Sequence, residues 1–433
     1  MASEKKQWGA IVVMIALFSM IAFVTNLCSP MAIIVKNQFG ASNFLAQVGN
    51  YGNFIAYLLM GIPSGMLIKK IGYKKTALLA LLVGIVGILV QWMSGWDSIQ
   101  SFAVYLIGAF IAGFCMCMLN TVVNPMLNIL GGGGNKGNQL IQIGGVFNSS
   151  AAVAVYIIMG ALIGDATKAS IADATPALMI ALAIFVIAFV VILFTKIEEP
   201  EQSSEKKAAD KADKHSAFSF RHFNLGILAI FMYMSVEVGT PTYILQYLTS
   251  ATDAATPGLG MDATIVGLIV AVYWLMMLIG RFVGGAIGGK VSSKTMITVA
   301  SSAAIALLLF GMFAPATTTV NVPGIDWANL NLIWAEVPVG IMAFLLIGLC
   351  TSVMWGGIFN MAVEGLGKYT AIASGAFMTM VFGCAIMVGL QAYVADVTGS
   401  FLTSYVVVLF SAAYILFYAL IGSKNVNTDI PVE

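Results

Sequence analysis

The stretch KIEEPEQSSEKKAADKADKHSAFSFRH, residues 196–222, decides how this chain is read. It holds 12 of the 39 charged residues and both histidines, His215 and His222. Long apolar runs lie on either side of it. The stretch is therefore expected to be a solvated cytoplasmic linker between two membrane-embedded halves, residues 1–195 and 223–433.

Composition supports that reading. The chain has 433 residues, of which 60% are hydrophobic and 9% charged, and its mean hydropathy is +0.96. A soluble domain carries about 25% charged residues. Backbone that faces lipid must satisfy its own hydrogen bonds, so an all-α membrane protein is expected. The net charge of +1 gives no footing for nucleic acid; the partners implied are a lipid bilayer and a small molecule, with the protein itself a monomer. The five cysteines all fall inside apolar runs without a CxxC pair, so neither a disulfide nor a metal site is expected. Lys5 and Lys6 precede an apolar run that continues from Gly9 past Pro30 without an A-x-A site, which reads as a retained first span.

Twelve spans can be drawn between polar breaks. The first half supplies 9–36, 44–68, 76–95, 100–130, 138–164 and 175–195. The second supplies 223–248, 263–288, 295–314, 335–361, 370–395 and 401–422. Lys69, Lys70, Lys74 and Lys75 share one loop, and Lys290 and Lys294 another. Loops of the opposite side carry Asp97, Asp165, Asp173, Asp253, Asp262 and Asp326. The positive-inside rule then places both termini in the cytoplasm, with the protein a multi-pass component of a bacterial inner membrane.

The halves read as copies. Gly65, Lys70 and Lys74 recur as Gly285, Lys290 and Lys294, each 220 residues later. Asn26-Leu27-Cys28-Ser29-Pro30 faces Glu237-Val238-Gly239-Thr240-Pro241 at an offset of 211. A six-plus-six parallel repeat puts a substrate site between the halves, near the bilayer midplane.

Polar groups inside the spans are the candidates for that site, and each also has a packing role to set against it. Asn26 stands beside Ser29 and the kink-forming Pro30. Asn50 lies three residues from both Gln47 and Asn53, a stripe suited to a ligand or to a neighbouring helix. Asn120, Asn124 and Asn128 follow at spacing four and stack on one helical face. Amides donate and accept as sugar hydroxyls do, so ligand contact is favoured for Asn120 and Asn124. Gln142 and Asn148 extend the set. Glu237 is the one acid well inside a span; it faces a cavity or a partner, or carries a coupling proton or sodium ion. Tyr243 and Gln246 lie beyond Pro241 within reach of the same cavity. Trp274 and Trp355 offer indole faces to an apolar sugar face or to the core. Asn360, Gln391 and Tyr393 complete the second-half set. Arg281 and Glu364 lie toward the cytoplasmic ends of their spans, where gate or latch salt bridges are expected.

Other chemistry finds no support. Gly131 to Gly134 with Lys136 lacks the GK[ST] ending of a phosphate loop and reads as a turn. The spans hold no histidine, metal cluster or nucleophile–base pair, so no catalytic residue and no enzyme is expected. No cofactor is implied beyond a coupling proton or sodium ion.

The segment Ser352-Val-Met-Trp-Gly-Gly-Ile-Phe-Asn-Met-Ala-Val-Glu364-Gly-Leu-Gly-Lys368, followed by Ser374-Gly375, resembles the fucose/glucose–galactose permease family of the major facilitator superfamily (MFS). Pro63 through Lys75, Asn124-Pro125, Phe147-Asn148-Ser149, Tyr233 through Glu237 and Gly280-Arg281-Phe282 match it as well. The resemblance implies the MFS fold, twelve transmembrane helices in two six-helix pseudo-symmetric bundles that rock around a central sugar site. It also implies uptake of a neutral monosaccharide with protons or, in some members, sodium. This chain departs from the family in the first half. The family's span-one acid is replaced by Ser29, its span-four glutamate by Asn120, and its span-five glutamine by Gly145.

The expected function is therefore alternating-access transport of a small neutral carbohydrate, ion-coupled or facilitative. Two other readings stay open. An exporter of amphipathic compounds would show a large Met- and aromatic-lined cavity. A non-transporting sugar sensor would need an appended soluble domain.

Overall fold

The computed structural model describes residues 7–40, 43–163, 169–197, 215–326 and 329–432. The side chains of Ser29, Pro30, Gln47, Asn50 and Asn53 lie outside the described residues, so the expectations resting on them are not taken further.

The first half folds as α1 (Trp8–Phe39), α2 (Asn43–Ile71), α3 (Tyr73–Met93), α4 (Phe102–Leu130), α5 (Gly134–Ile163) and α6 (Thr175–Phe194). Among the described residues, eleven helices are long and apolar enough to cross a membrane. The 30-residue α5 is a further long helix beside them. Lipid cannot hydrogen-bond backbone, so each apolar run closes its own ladder. Breaks occur where polar residues cap the ends, as Ser101 does by accepting from the Val104 amide.

The second half is more broken. The seventh span joins α7 (Arg221–Met234), a π turn (Ser235–Gly239) and α8 (Thr240–Thr249). Next come α9 (Ala263–Ile287) and α10 (Ser293–Phe313). The tenth span pairs α11 (Val339–Thr351) with α12 (Met354–Val363). The eleventh joins α13 (Thr370–Thr379) to α14 (Gly383–Thr398) through a 3-10 turn, Met380–Phe382. The last runs through α15 (Phe401–Ser404) and α16 (Val406–Phe417).

Within the first half α1 packs on α5, and α4 lies between α2 and α3. In the second half α11 lies between α9 and α10. The halves meet where α2 packs on α13 and where α5 packs on α9 and α12.

The repeated lysines do the same work twice. Lys74 Nζ donates to the Leu193 and Thr195 carbonyls at the end of α6, at 3.0 and 2.8 Å. Lys294 Nζ donates to the Leu420 carbonyl at the end of the twelfth span, at 3.0 Å. Each cation closes orphan carbonyls and meets the negative end of a helix dipole. Gly65 and Gly285 are matched as well. A Cβ on Gly65 would lie 2.6 Å from the Ala371 carbonyl, and one on Gly285 would lie 3.3 Å from Ile143, so both sit at contacts between the halves.

One element departs from the all-helical expectation. Thr319–Asp326 and Asn331–Pro338 form an antiparallel hairpin, β1 and β2, in register Thr319↔Pro338. The tenth span therefore starts at Val339 rather than at 335. Alternating β-branched residues favour strand, and Val322 and Val337 bury one face of the hairpin. The chain also rejoins the fold before the end of its charged stretch, since Ala217, Phe220 and His222 are already buried.

Candidate functional site

The site is built around a defect in the seventh span. Pro241 lacks the amide hydrogen that would bond the Glu237 carbonyl four residues earlier. The helix widens into the π turn Ser235–Gly239 around Glu237. The Tyr273 hydroxyl on α9 covers the loss by lying 3.1 Å from the Val236 carbonyl and 3.0 Å from the Glu237 carbonyl. Tyr273→Phe is expected to destabilise the protein by about 1–3 kcal/mol, because buried carbonyls lose their donor. A lowered unfolding temperature in detergent checks this; an unchanged one would show that the π turn does not depend on the hydroxyl.

Glu237 and Arg281 make the central ion pair, with Arg281 Nη2 3.9 Å from Glu237 Oε1. Their side chains keep 16% and 11% of their exposure, so the pair is mostly buried but not sealed from solvent. Arg281 then crosses to the other half. Its Nη1 donates to the Gly145 carbonyl at 3.1 Å, to Asn148 Oδ1 at 3.3 Å and to the Ser149 hydroxyl. Gly145 makes room for it, since a Cβ there would stand 3.3 Å from Arg281 Cδ. Asn148 in turn donates to the Phe18 carbonyl on α1 at 2.8 Å.

This corrects the expectation of paired latch charges. Arg281 is the centre of the molecule's polar network, and its counter-ion is Glu237. Glu364 is exposed, and among the described residues its carboxylate makes no ion pair. Only its backbone carbonyl is engaged, accepting from His222 Nε2 at 3.0 Å. A surface carboxylate gains little from pairing in water.

The α4 amides form a ladder. Asn120 Nδ2 donates to the Tyr57 hydroxyl at 2.6 Å, and Asn124 Nδ2 donates to the Asn120 carbonyl at 2.9 Å. Trp355 Nε1 donates across the halves to Asn124 Oδ1 at 3.1 Å. Asn128 Nδ2 donates to Asn360 Oδ1 at 2.6 Å, and Asn360 Nδ2 donates on to the Ser293 hydroxyl at 2.9 Å. The Trp355 ring packs on Tyr233, 6.1 Å between centroids, and Tyr233 stands one turn before Glu237. The ladder thus runs up to the charged pair.

Several expected ligand contacts are closed in this conformation. Asn124 is fully buried with both ends of its amide used. Gln142 and Asn360 are buried in bonds between helices, Gln142 to the Val353 carbonyl at 3.1 Å. Gln391 is buried behind the seventh span against Gly239, with Nε2 3.4 Å from the Ser404 hydroxyl. Tyr243 is buried against Phe401 and donates to the Val388 carbonyl at 3.3 Å. Gln246 and Tyr393 are exposed. Gln246 is nine residues beyond Glu237, about 14 Å along a helix, so the two cannot share one small cavity.

Four expected residues keep some exposure. Asn26 is half-buried and turns Nδ2 back to the Ala22 carbonyl at 2.8 Å. Asn148 and Trp355 are half-buried. Trp274 is exposed, two turns from Arg281 and on the same face of α9. Tyr57 was not singled out from sequence, and Tyr233 and Ser149 entered only as ends of matched motifs, with no role given. Their signal was weak because a hydroxyl on an aromatic ring or a lone serine passes for core in an apolar run.

Seven hydrogen bonds join the halves between this centre and the lysine-rich end.

The comparisons agree with this architecture. The family model described as Major Facilitator Superfamily matches residues 13–390. A curated relative named glucose/galactose transporter, from Brucella abortus biovar 1 (strain 9-941), is 29% identical over 430 residues, covering 98% of this chain and 96% of its own. The L-fucose-proton symporter of Escherichia coli (strain K12) is 22% identical over 433 residues, covering 95% of this chain and 92% of its own. The crystal structure of FucP, an MFS transporter in the outward conformation, superposes with a TM-score of 0.76 at 21% identity. That match covers 96% of this chain and 99% of the other.

Proposed function

This chain belongs to the Major Facilitator Superfamily, and on that footing we propose that it carries a small, neutral carbohydrate across a bacterial inner membrane by alternating access. It is a multi-pass membrane transporter and not an enzyme. Its halves rock about the centre and are tethered by the charged stretch after Ile197, the second half beginning by Ala217, whose neighbours Phe220 and His222 pack on Tyr369 and Glu364. Both termini and the lysine-rich end face the cytoplasm. With the halves pinned at that end, the present conformation is outward-facing.

The observation that carries the sugar reading is the chemistry of the centre. Arg281 and Glu237 cancel each other, and the groups bonded at this centre and in the ladder beside it are uncharged amides, hydroxyls and an indole: Asn148 and Ser149 on Arg281, then Asn120, Asn124, Tyr57 and Trp355. A neutral polyol exchanges hydrogen bonds with such a set without bringing a charge that needs a partner. The names of the relatives point to the same substrate class. An amphipathic cargo would gain little from a charged pair and its amide and hydroxyl partners.

Glu237 is the candidate for coupling. The family's first-half acid positions are Ser29 and Asn120 here, so proton or sodium coupling falls to Glu237 or is absent. Counterflow of labelled D-glucose, D-galactose and L-fucose in proteoliposomes, with pH and sodium gradients imposed separately, tests both points. One of these sugars is expected to exchange. No movement under any gradient would overturn the sugar reading.

A further inference from the structure

Asn138 is the anomaly of the closed, lysine-rich end. It is fully buried on the first turns of α5, and neither Nδ2 nor Oδ1 has a hydrogen-bond partner. An unpaired buried amide is a standing cost that a leucine of similar volume would not carry. Its surroundings show where it points. A Cβ built on Gly356 of α12 would lie 2.9 Å from Gln142 Nε2 and 3.4 Å from Asn138 Oδ1. Two amides from the first half therefore converge on a spot that the second half leaves bare.

The same face of α5 continues upward. Asn138, Gln142, Gly145 and Ser149 follow at spacings of four, three and four, and the last two hold Arg281. Opposite them, Asn128 closes on Asn360. Every contact here except that of Asn138 is satisfied by the partner half, and parting the halves releases them together.

We propose that Asn128, Asn138 and Gln142 form a second, inner subsite for sugar hydroxyls, exposed when the lysine-rich end opens, onto which the substrate steps as it leaves the centre. This rests on the sugar reading above. Asn138 is kept unpaired in the outward-facing state because its partners arrive with the substrate in the other one. The neighbouring amides trade interhelical bonds for substrate bonds in the same step.

The test uses the full chain in right-side-out and inverted membrane vesicles, with whichever of D-glucose, D-galactose and L-fucose the wild type exchanges. Asn138→Leu is expected to raise the half-saturating concentration about five-fold at the lysine-rich face, the worth of one lost hydrogen bond, and to leave the opposite face unchanged. Asn138→Ser is expected to recover most of the loss. Gly356→Ala, which fills the bare spot, is expected to act like Asn138→Leu, and it stands in should that variant fail to fold. No change at either face would overturn the subsite, with Asn138 then a passive orphan. Opposite shifts at the two faces would also overturn it, since they signal a changed gate equilibrium. A wild type that moves no sugar would overturn the sugar reading and the subsite together.

Discussion

Arg281→Ala is expected to abolish transport, by about a hundred-fold or more, and to destabilise the protein. Removing one member of this mostly buried pair leaves the other charge uncompensated, at up to about 3–5 kcal/mol, and each 1.36 kcal/mol is about ten-fold in rate. The same substitution cuts the bonds to Gly145, Asn148 and Ser149 that tie the second half to the first. Glu237→Gln should cost less, because Arg281 keeps those neutral acceptors. If Glu237 carries the coupling ion, that variant is expected to exchange sugar while losing its response to a pH or sodium gradient. Counterflow and unfolding temperature, read side by side for the two variants and for Arg281→Met with Glu237→Gln, check the pair. Wild-type transport by Arg281→Ala would remove it from the mechanism.

Gly375→Val is expected to drive the protein away from the conformation described here. A Cβ on Gly375 would stand 2.5 Å from the Gly61 carbonyl and 2.9 Å from the Gly65 amide, so backbone meets backbone where α2 crosses α13. A side chain there has nothing flexible to displace, and overpacking costs about 1–3 kcal/mol. That is about 5- to 150-fold in the equilibrium between the two conformations. Spin labels at positions 75 and 290, one on each half at the lysine-rich end, should report a longer distance in Gly375→Val than in the wild type. An unchanged distance, with transport intact, would show that this crossing does not gate the lysine-rich end.

The hydrophobic pattern reached far into the fold. Span boundaries, the two-fold repeat and the positive-inside loops were legible because each depends on local composition or on spacing along the chain, whereas the capping of distant helix ends by Lys74 and Lys294 was not. Glu237 was legible because an acid in hydrocarbon demands an explanation. The hairpin was missed, since a short amphipathic strand pair beside a membrane span blurs into the apolar run that follows it.

The site was read less well, and Arg281 shows why. In sequence it stands six residues before the end of α9 and looks like an end-of-helix charge. Its depth, its pairing with Glu237 and its reach to Asn148 depend on how close α5 approaches, which Gly145 sets from another half of the chain. Asn124 errs in the other direction, an amide that looks available and is fully spent on Trp355 and Asn120. The sequence by itself determined that this protein is a twelve-span, two-half membrane carrier with few charges inside, because periodicity and desolvation act along one helix at a time. Only the tertiary structure decided which polar groups keep some exposure and which face one another, because a hydrogen bond between helices is set by their separation, and no spacing along either chain segment records that.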